Sequence, residues 1–115
     1  MTTLITDEQR AQLLENGRQS LDEHSFDPRP VVKLFTPDAG ATWLLTEIDP
    51  DDEDHAFGLC DLGQGHPELG WMSLAELAAL RGPLGLPVER DLYFHADRAI
   101  SVYARDARLA GRIVA

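Results

Sequence analysis

Three titratable side chains near residue 90 have types and spacing suited to acid/base chemistry. Glu89, Asp91 and His95 follow one another closely in a segment rich in Gly and Pro. Alternation along a strand would put Glu89 and Asp91 on one face and Arg90 on the other. Two like charges on one face favour retention of a proton by one of the carboxyl groups. These three residues are therefore the candidate catalytic residues of a metal-dependent hydrolase.

The whole segment RGPLGLPVERDLYF, Arg81 to Phe94, also fits a stiff connector, because its prolines and glycines fix a bent path. In that interpretation Arg81 or Arg90 bridges acids and helix-end carbonyls. A third alternative is an outward-facing contact made by Arg81, Glu89, Arg90 and Asp91. These four residues are candidate binding residues.

The apolar side chains of the segment are expected to close the core. Leu84, Leu86 and Val88 would lie on it, and Tyr93 and Phe94 would cover its end.

The acidic run from Asp49 to Asp54 suggests calcium at first sight. An EF-hand loop needs Gly at its sixth position and Glu at its twelfth, and counting from Asp49 those places hold Asp54 and Cys60. A solvated hairpin tip is the simplest alternative, and weak cation binding is another. Asp51, Asp52 and Asp54 are also candidate binding residues for a basic partner.

The histidines and the single cysteine give no metal framework. His24, His55, His66 and His95 lack the spacing of i, i+4 ligand pairs, although a site from His55, His66 and nearby carboxylates is conceivable. Cys60 is expected to be a small buried hydrophobic residue in a strand. No G-x-S-x-G elbow and no phosphate-binding glycine loop occur. We expect no metal and no cofactor.

Charge restricts the partners. The net charge is −10, and residues 1–80 hold 16 acids against 4 bases, whereas residues 81–115 hold 4 acids and 6 bases. Such a surface repels a phosphate backbone, so direct nucleic-acid binding is disfavoured. Solubility, or an acidic face offered to a basic protein partner, explains the imbalance. No run of about 18 apolar residues and no secretory signal pattern occurs, so we expect no membrane contact and a cytoplasmic protein.

Three helices are predicted. The first begins at Thr6, whose side chain forms a capping box with Gln9, and ends at Gly17. The residues from Arg18 to Pro30 are predicted to form a loop. The second helix has Ser73 and Glu76 as its capping box and Gly82 as its end.

The third predicted helix lies in the C-terminal segment. Ile100, Tyr103, Ala104, Ala107 and Val114 fall near one helical face there.

Between the first two helices the pattern changes to that of strands. VVKLFTP, ATWLLTEID, AFGLCDL and ELGWM are predicted as an antiparallel meander, with PDDEDH as one of its turns, and VERDLYF could add a strand. In the second strand Trp43 and Leu45 should point to one face, and Leu44, Thr46 and Ile48 to the other. The prediction is an α+β fold, in which a sheet of about four or five strands carries two or three helices, mainly on one face.

The sequence resembles a bacterial family catalogued as domain of unknown function 2958, small proteins of plasmids, phages and other mobile elements. The blocks that carry the resemblance are Phe35-Thr36-Pro37-Asp38, Trp43 with Thr46-Glu47, Phe57-Gly58-Leu59, Glu68-Leu69-Gly70, Ser73-Leu74 with Glu76-Leu77, Arg81 to Pro87 and Glu89 to Phe94. Trp71-Met72 departs from the expected pair of smaller aromatics. The chain, 1–115, is expected to form one domain, with a family-like core over 4–95 and a C-terminal helical extension over 96–115.

The family that the sequence resembles has no assigned activity, so the resemblance assigns no catalytic residues to this chain. Its mobile-element setting favours a non-enzymatic, protein-binding accessory or regulatory domain, which is the first functional hypothesis. An acidic mimic of nucleic acid that inhibits a host nuclease or defence complex is the alternative. The metal-dependent hydrolase using Glu89, Asp91 and His95 is the second alternative.

Overall fold

A five-stranded antiparallel sheet organises the chain. The computed structural model describes residues 4–115, so the first three residues of the predicted domain lie outside it. The elements are α1 (Asp7–Asp22), β1 (Val32–Phe35), β2 (Thr42–Asp49), β3 (Asp52–Asp61), β4 (Glu68–Ser73), α2 (Leu74–Ala79), β5 (Glu89–Arg90) and α3 (Ile100–Ala110). The strand order is β4-β3-β2-β1-β5, and every neighbouring pair is antiparallel. The predicted α+β class and the four-stranded meander are confirmed, and β5 extends the sheet beside β1.

Helices α1 and α2 lie on one face of the sheet, in agreement with the prediction of helices mainly on one face, and α3 lies on the other face. Leu13 of α1 and Leu74 and Leu77 of α2 pack in one core cluster with Trp43 and Leu45 of the sheet. A second cluster forms on the other face. It joins α3 to the sheet through Ile100, Tyr103, Ala104 and Ala107 with Leu44 and Leu59. Strand β2 is covered on both faces, which accounts for its apolar residues at successive positions.

Helix α1 does not end at Gly17 but continues to Asp22. The predicted capping box of Thr6 and Gln9 is present. Gly17 is buried inside the helix because α1 lies directly against β2 there, and a Cβ atom on Gly17 would lie 2.0 Å from the carbonyl oxygen of Ile48. This glycine therefore serves close packing rather than helix termination.

A register shift in β2 changes which face its last residues occupy. The pairing with β3 is interrupted between Leu45 and Glu47, so Thr46 is an extra residue in the strand. Ile48 consequently joins Trp43 and Leu45 in the α1-side cluster, and not Leu44 as strict alternation predicted. The Asn16 side-chain amide of α1 donates to the Thr46 carbonyl at 2.9 Å, which satisfies that carbonyl beyond the end of β1.

The two shorter helices begin at caps supplied partly from distant residues. Ser73 caps α2 by accepting from the Glu76 amide, and Asp54 accepts from the Ala75 amide. The N-cap residue of α3 makes no side-chain cap bond, and instead Asp27 accepts from the Ser101 amide at 3.0 Å. Two local predictions are wrong, because α2 ends at Ala79 rather than Gly82, and Val114 lies beyond the end of α3 and is partly exposed.

The acidic turn is shorter than predicted. Only Pro50 and Asp51 lie between β2 and β3, and Asp52 to Asp54 belong to β3. Over residues 4–115, no helix has both the length and the apolar character of a membrane span.

Candidate interaction site

The connector after α2 is a rigid loop built from its own backbone bonds. Residues 81 and 87 form an isolated bridge, the Gly82 amide donates to the Leu86 carbonyl at 3.0 Å, and the Gly85 amide donates to the Gly82 carbonyl at 2.9 Å. Gly85 has φ of 81°, a left-handed conformation that favours glycine. These bonds fold the segment back on itself and hold its tip away from the core.

Asp38, from the turn between β1 and β2, fastens this loop. Its Oδ2 atom accepts from the Leu84 amide at 2.7 Å and from the Leu86 amide at 3.4 Å. Gly82 makes room for the carboxylate, since a Cβ atom there would lie 1.7 Å from Asp38 Oδ1. Sequence reasoning missed this role of Asp38, because the partners are 46 and 48 residues away along the chain.

Arg81 and Arg90 fix the two ends of the segment. The Arg81 guanidinium donates to the carbonyls of Ala78 and Leu80 at the end of α2, at 3.0 and 2.9 Å. Arg90, in β5, donates to the Leu4 carbonyl at 3.2 Å. The Arg81 contacts are to helix-end carbonyls, as the connector hypothesis describes, whereas the Leu4 carbonyl that Arg90 contacts precedes α1.

The structure separates the three candidate catalytic residues. Glu89 is exposed in β5 opposite Phe35, whereas Asp91 pairs with Lys33 of β1, with 3.5 Å between the Asp91 Oδ2 and Lys33 Nζ atoms. Asp91 Oδ1 also accepts from the Tyr93 amide at 2.9 Å. The Asp91 carboxylate is thus engaged in holding the end of the segment against β1.

Asp91 and His95 share a shallow depression of about 310 Å³, and Glu89 does not line it. Its other lining residues are Tyr93, Phe94, Asp97, Arg98, Tyr103 and Ala115. Arg98 lies with its guanidinium carbon 4.7 Å from the centre of the Tyr103 ring. Hydrogen bonds from Arg98 and from the Tyr103 hydroxyl to the Asp97 carboxylate lower the pKa of Asp97 below its usual range. Asp97, Arg98 and Tyr103 therefore satisfy one another within the depression.

The three acidic candidates at the β2–β3 hairpin differ in how many hydrogen bonds or ion pairs their carboxylates form. The Asp54 carboxylate accepts from the Ser73 hydroxyl at 2.6 Å and from the Ala75 amide at 2.8 Å, and these bonds lower the pKa of Asp54. Asp52 lies 3.2 Å from the His55 ring nitrogen. Asp51 is exposed at the hairpin tip. Asp54 thus has a structural task at the start of α2.

The remaining metal and thiol candidates lie apart. Among the residues that the structure describes, no three His, Cys, Asp or Glu side chains come close enough to hold a metal ion. Cys60 lies half-buried in β3 beside the α1-side core, and burial raises the pKa of its thiol.

The apolar residues of the connector point mostly to solvent, so the prediction that they close the core is wrong for most of them. Val88 is buried and Phe94 packs partly against the α3-side cluster. Leu84, Leu92 and Tyr93 are 79%, 71% and 88% exposed, and Leu86 is also exposed. We call Leu84, Leu86, Leu92 and Tyr93 the connector's apolar surface. Hydrophobicity alone predicted a core position for Leu84, Leu86 and Tyr93, but the bonds of the loop hold Leu84 and Leu86 outward.

Comparison with known proteins gives a family and no activity. The profile of the family described as "Protein of unknown function (DUF2958)" matches residues 4–114, nearly the whole chain, and the chain belongs to this family. The matched range includes α3 and so extends past residue 95, the expected end of the family-like core. No curated protein and no solved structure matches the chain.

Proposed function

From membership in a family without an assigned activity, we propose that this chain is a non-enzymatic, protein-binding accessory or regulatory domain. The observation that carries the proposal is the connector's apolar surface, in which Leu84 and Leu86 are exposed on a loop braced by Asp38 and Tyr93 is exposed where its amide donates to Asp91. The plasmid and phage setting that the resemblance implies, and a cytoplasmic location, are part of the same proposal.

Rigidity is what makes this surface suitable for binding. A flexible loop loses conformational freedom when it docks, and that loss opposes association. The loop from Gly82 to Leu86 is already fixed by its internal bonds and by Asp38, and Asp91 fixes the Tyr93 amide. Docking therefore orders mainly side chains.

The chemistry of the surface fits a protein partner. Tyrosine is among the residues that contribute most to protein–protein interfaces, because it buries a large ring and keeps a hydroxyl for hydrogen bonding. The exposed charges of Arg81 and Glu89 lie in the same segment and can orient a partner. An apolar centre with charged neighbours is the usual composition of such interfaces.

Two observations favour this proposal over its alternatives. A mimic of nucleic acid needs free acids along one face, but the Asp54 carboxylate is hydrogen-bonded to Ser73 and to the start of α2. A hydrolase needs its carboxylates together, but Asp91 is paired with Lys33 and Glu89 does not line the depression that holds His95.

Site-specific photo-crosslinking tests the proposal. A benzophenone amino acid would be placed at Leu84 or Tyr93, and at Leu21 of α1 as an exposed apolar control, in cells that carry the gene natively. We expect Leu84 and Tyr93 to give the same adduct with one protein, and Leu21 to give none. The double change Leu84→Ser and Tyr93→Ser should then weaken the purified complex about tenfold or more.

Both exposed changes should leave stability within about 0.5 kcal/mol, so loss of binding would not reflect unfolding. The proposal fails if Leu84 and Tyr93 give no adduct above the Leu21 control. It also fails if the double variant binds the crosslinked protein as tightly as the unchanged chain does.

A further inference from the structure

Strand β4, at the opposite edge of the sheet, is open to a further strand. Proteins usually protect an edge strand with lysine, proline, a bulge or a covering element. Residues 68–73 contain no Lys or Pro, and their pairing with β3 continues without a register shift. Within the part of the chain that the structure describes, the backbone amides and carbonyls of residues 68–72 form hydrogen bonds only with β3.

One face of this edge is apolar and exposed. Met72 packs partly against the α1-side cluster, so alternation places Leu69 and Trp71 on the other face. Leu69 is 45% exposed and Trp71 is 55% exposed. Phe57 of β3 supports Trp71 in an edge-to-face contact, with 5.3 Å between ring centres. The indole is thus held in place on the edge strand.

Acidic side chains lie at both ends of the edge. Glu68 is exposed where β4 begins. Where β4 ends, Ser73 pairs with His55, and the exposed carboxylates of Asp52 and Asp54 lie on the same end of β3, with Glu76 in the first turn of α2. An extended segment along β4 would therefore meet apolar side chains at its middle and negative charge at its ends.

We propose that β4 binds an extended, basic segment of a partner protein by adding it as a sixth strand. The segment has two apolar residues separated by one residue, which lie against Leu69 and Trp71, because side chains in a strand reach one face at every second position. It has Lys or Arg at both ends, which complement Glu68 at one end and Asp52 and Glu76 at the other. This surface is separate from the connector's apolar surface.

Selection from a random peptide library on the immobilised protein tests the proposal. Peptides enriched on the unchanged chain should share two apolar residues spaced i, i+2 and flanking Lys or Arg. A synthetic peptide of the enriched sequence should slow hydrogen exchange at the amides of β4, and its affinity should fall as salt rises. The double change Leu69→Lys and Trp71→Lys should weaken its binding about tenfold or more.

Two control variants separate this surface from others. Leu109→Lys, at an exposed position on α3, and Tyr93→Lys, in the connector's apolar surface, should bind the peptide as the unchanged chain does. The proposal is overturned if the β4 double variant binds the peptide as tightly as the unchanged chain does. It is also overturned if Tyr93→Lys weakens peptide binding and the β4 double variant does not. So does a dimer that the β4 double variant converts to a monomer in light scattering, since a second copy would then occupy the edge. None of these results bears on the crosslinking expected from Tyr93.

Discussion

The β1 side and the β4 side of the sheet differ in whether backbone groups without a strand partner are hydrogen-bonded by side chains. Beside β1, side chains from distant parts of the chain take the backbone groups that have no strand partner, as Asn16 does for Thr46 and Asp38 does for Leu84. At β4, no side chain does this for residues 68–72 in the described part of the chain. The first side is closed and presents a fixed loop, whereas the second offers the outer edge of β4, which has no strand partner within residues 4–115.

This difference separates two kinds of contact surface. On the closed side, any partner meets side chains whose backbone is already satisfied, so recognition depends on shape and apolar contact. On the open side, a partner gains main-chain hydrogen bonds as well, so an extended conformation is part of what is recognised. Glycines mark both sides, but Gly17 and Gly82 are crowded and Gly70 has open space around it.

The largest expected effect comes from crowding the closed side at α1. Gly17→Ala places a methyl group against the Ile48 carbonyl, so α1 must move away from β2 and weaken the Asn16 bond to Thr46. We expect a loss of about 3 kcal/mol in the free energy of unfolding, measured by urea denaturation.

Helix propensity alone gives the opposite sign for this change. In an open helix, Gly→Ala is stabilising by about 1 kcal/mol, so a stabilised Gly17→Ala protein would show that α1 does not pack on β2 as described. Glu15→Ala, at an exposed position of the same helix, is the control and should change stability by about 0.5 kcal/mol or less.

A pair of glycine changes compares the closed and open sides directly. Gly82→Ala displaces the Asp38 carboxylate from the loop and breaks its bonds to the Leu84 and Leu86 amides, so we expect a loss of about 2 kcal/mol. Gly70→Ala meets nothing within 4 Å and replaces a flexible residue in a strand, so we expect a gain of about 0.5 kcal/mol. Urea denaturation of both variants gives the two signs.

Equal and small effects at the two glycines would contradict the contrast between the sides. The Gly82→Ala protein should in addition lose the slow hydrogen exchange of the Leu84 amide, which reports the Asp38 bond without depending on global stability.

The local patterns of the sequence predicted most elements and few of the contacts between them. The β-branched and aromatic content of the segment around Val32 to Phe35 and the capping residues Thr6 and Ser73 are local signals, and they located β1, α1 and α2. The end of α1 was predicted wrongly, because a glycine in a helix can mark either a C-cap or close packing. Only the position of β2 decides between these two roles for Gly17.

The connector from Arg81 to Phe94 was predicted as an element, but its organisation was not. The Gly and Pro content of Arg81 to Phe94 correctly indicated a fixed connector, because those residues act on their own backbone. The outward direction of Leu84 depends on Asp38, which belongs to another turn, and no periodicity within the segment contains that information. The change of face at Ile48 has a similar cause, since the bulge at Thr46 is defined by pairing with β3.

The smallest expected effect concerns the end of β4, where Asp54 joins the strand to α2. The Ser73 hydroxyl, and after it the Ala75 amide, lower the pKa of Asp54 by hydrogen bonding to its charged form. A carboxyl group whose pKa is lowered on folding stabilises the protein above its unfolded pKa of about 4, and this contribution is lost as pH falls through the folded pKa.

Ser73→Ala removes the larger cause and should raise the pKa of Asp54 toward its ordinary value, as measured by carbon NMR of the carboxyl group. Ser101→Ala, which removes a hydroxyl that bonds Asp27 at α3, is the matched control and should leave the Asp54 titration unchanged. If Asp54 titrates alike in the unchanged and Ser73→Ala proteins, the Ser73 hydroxyl does not hold its carboxylate, and the contact that joins the end of the open edge to α2 reduces to the Ala75 amide.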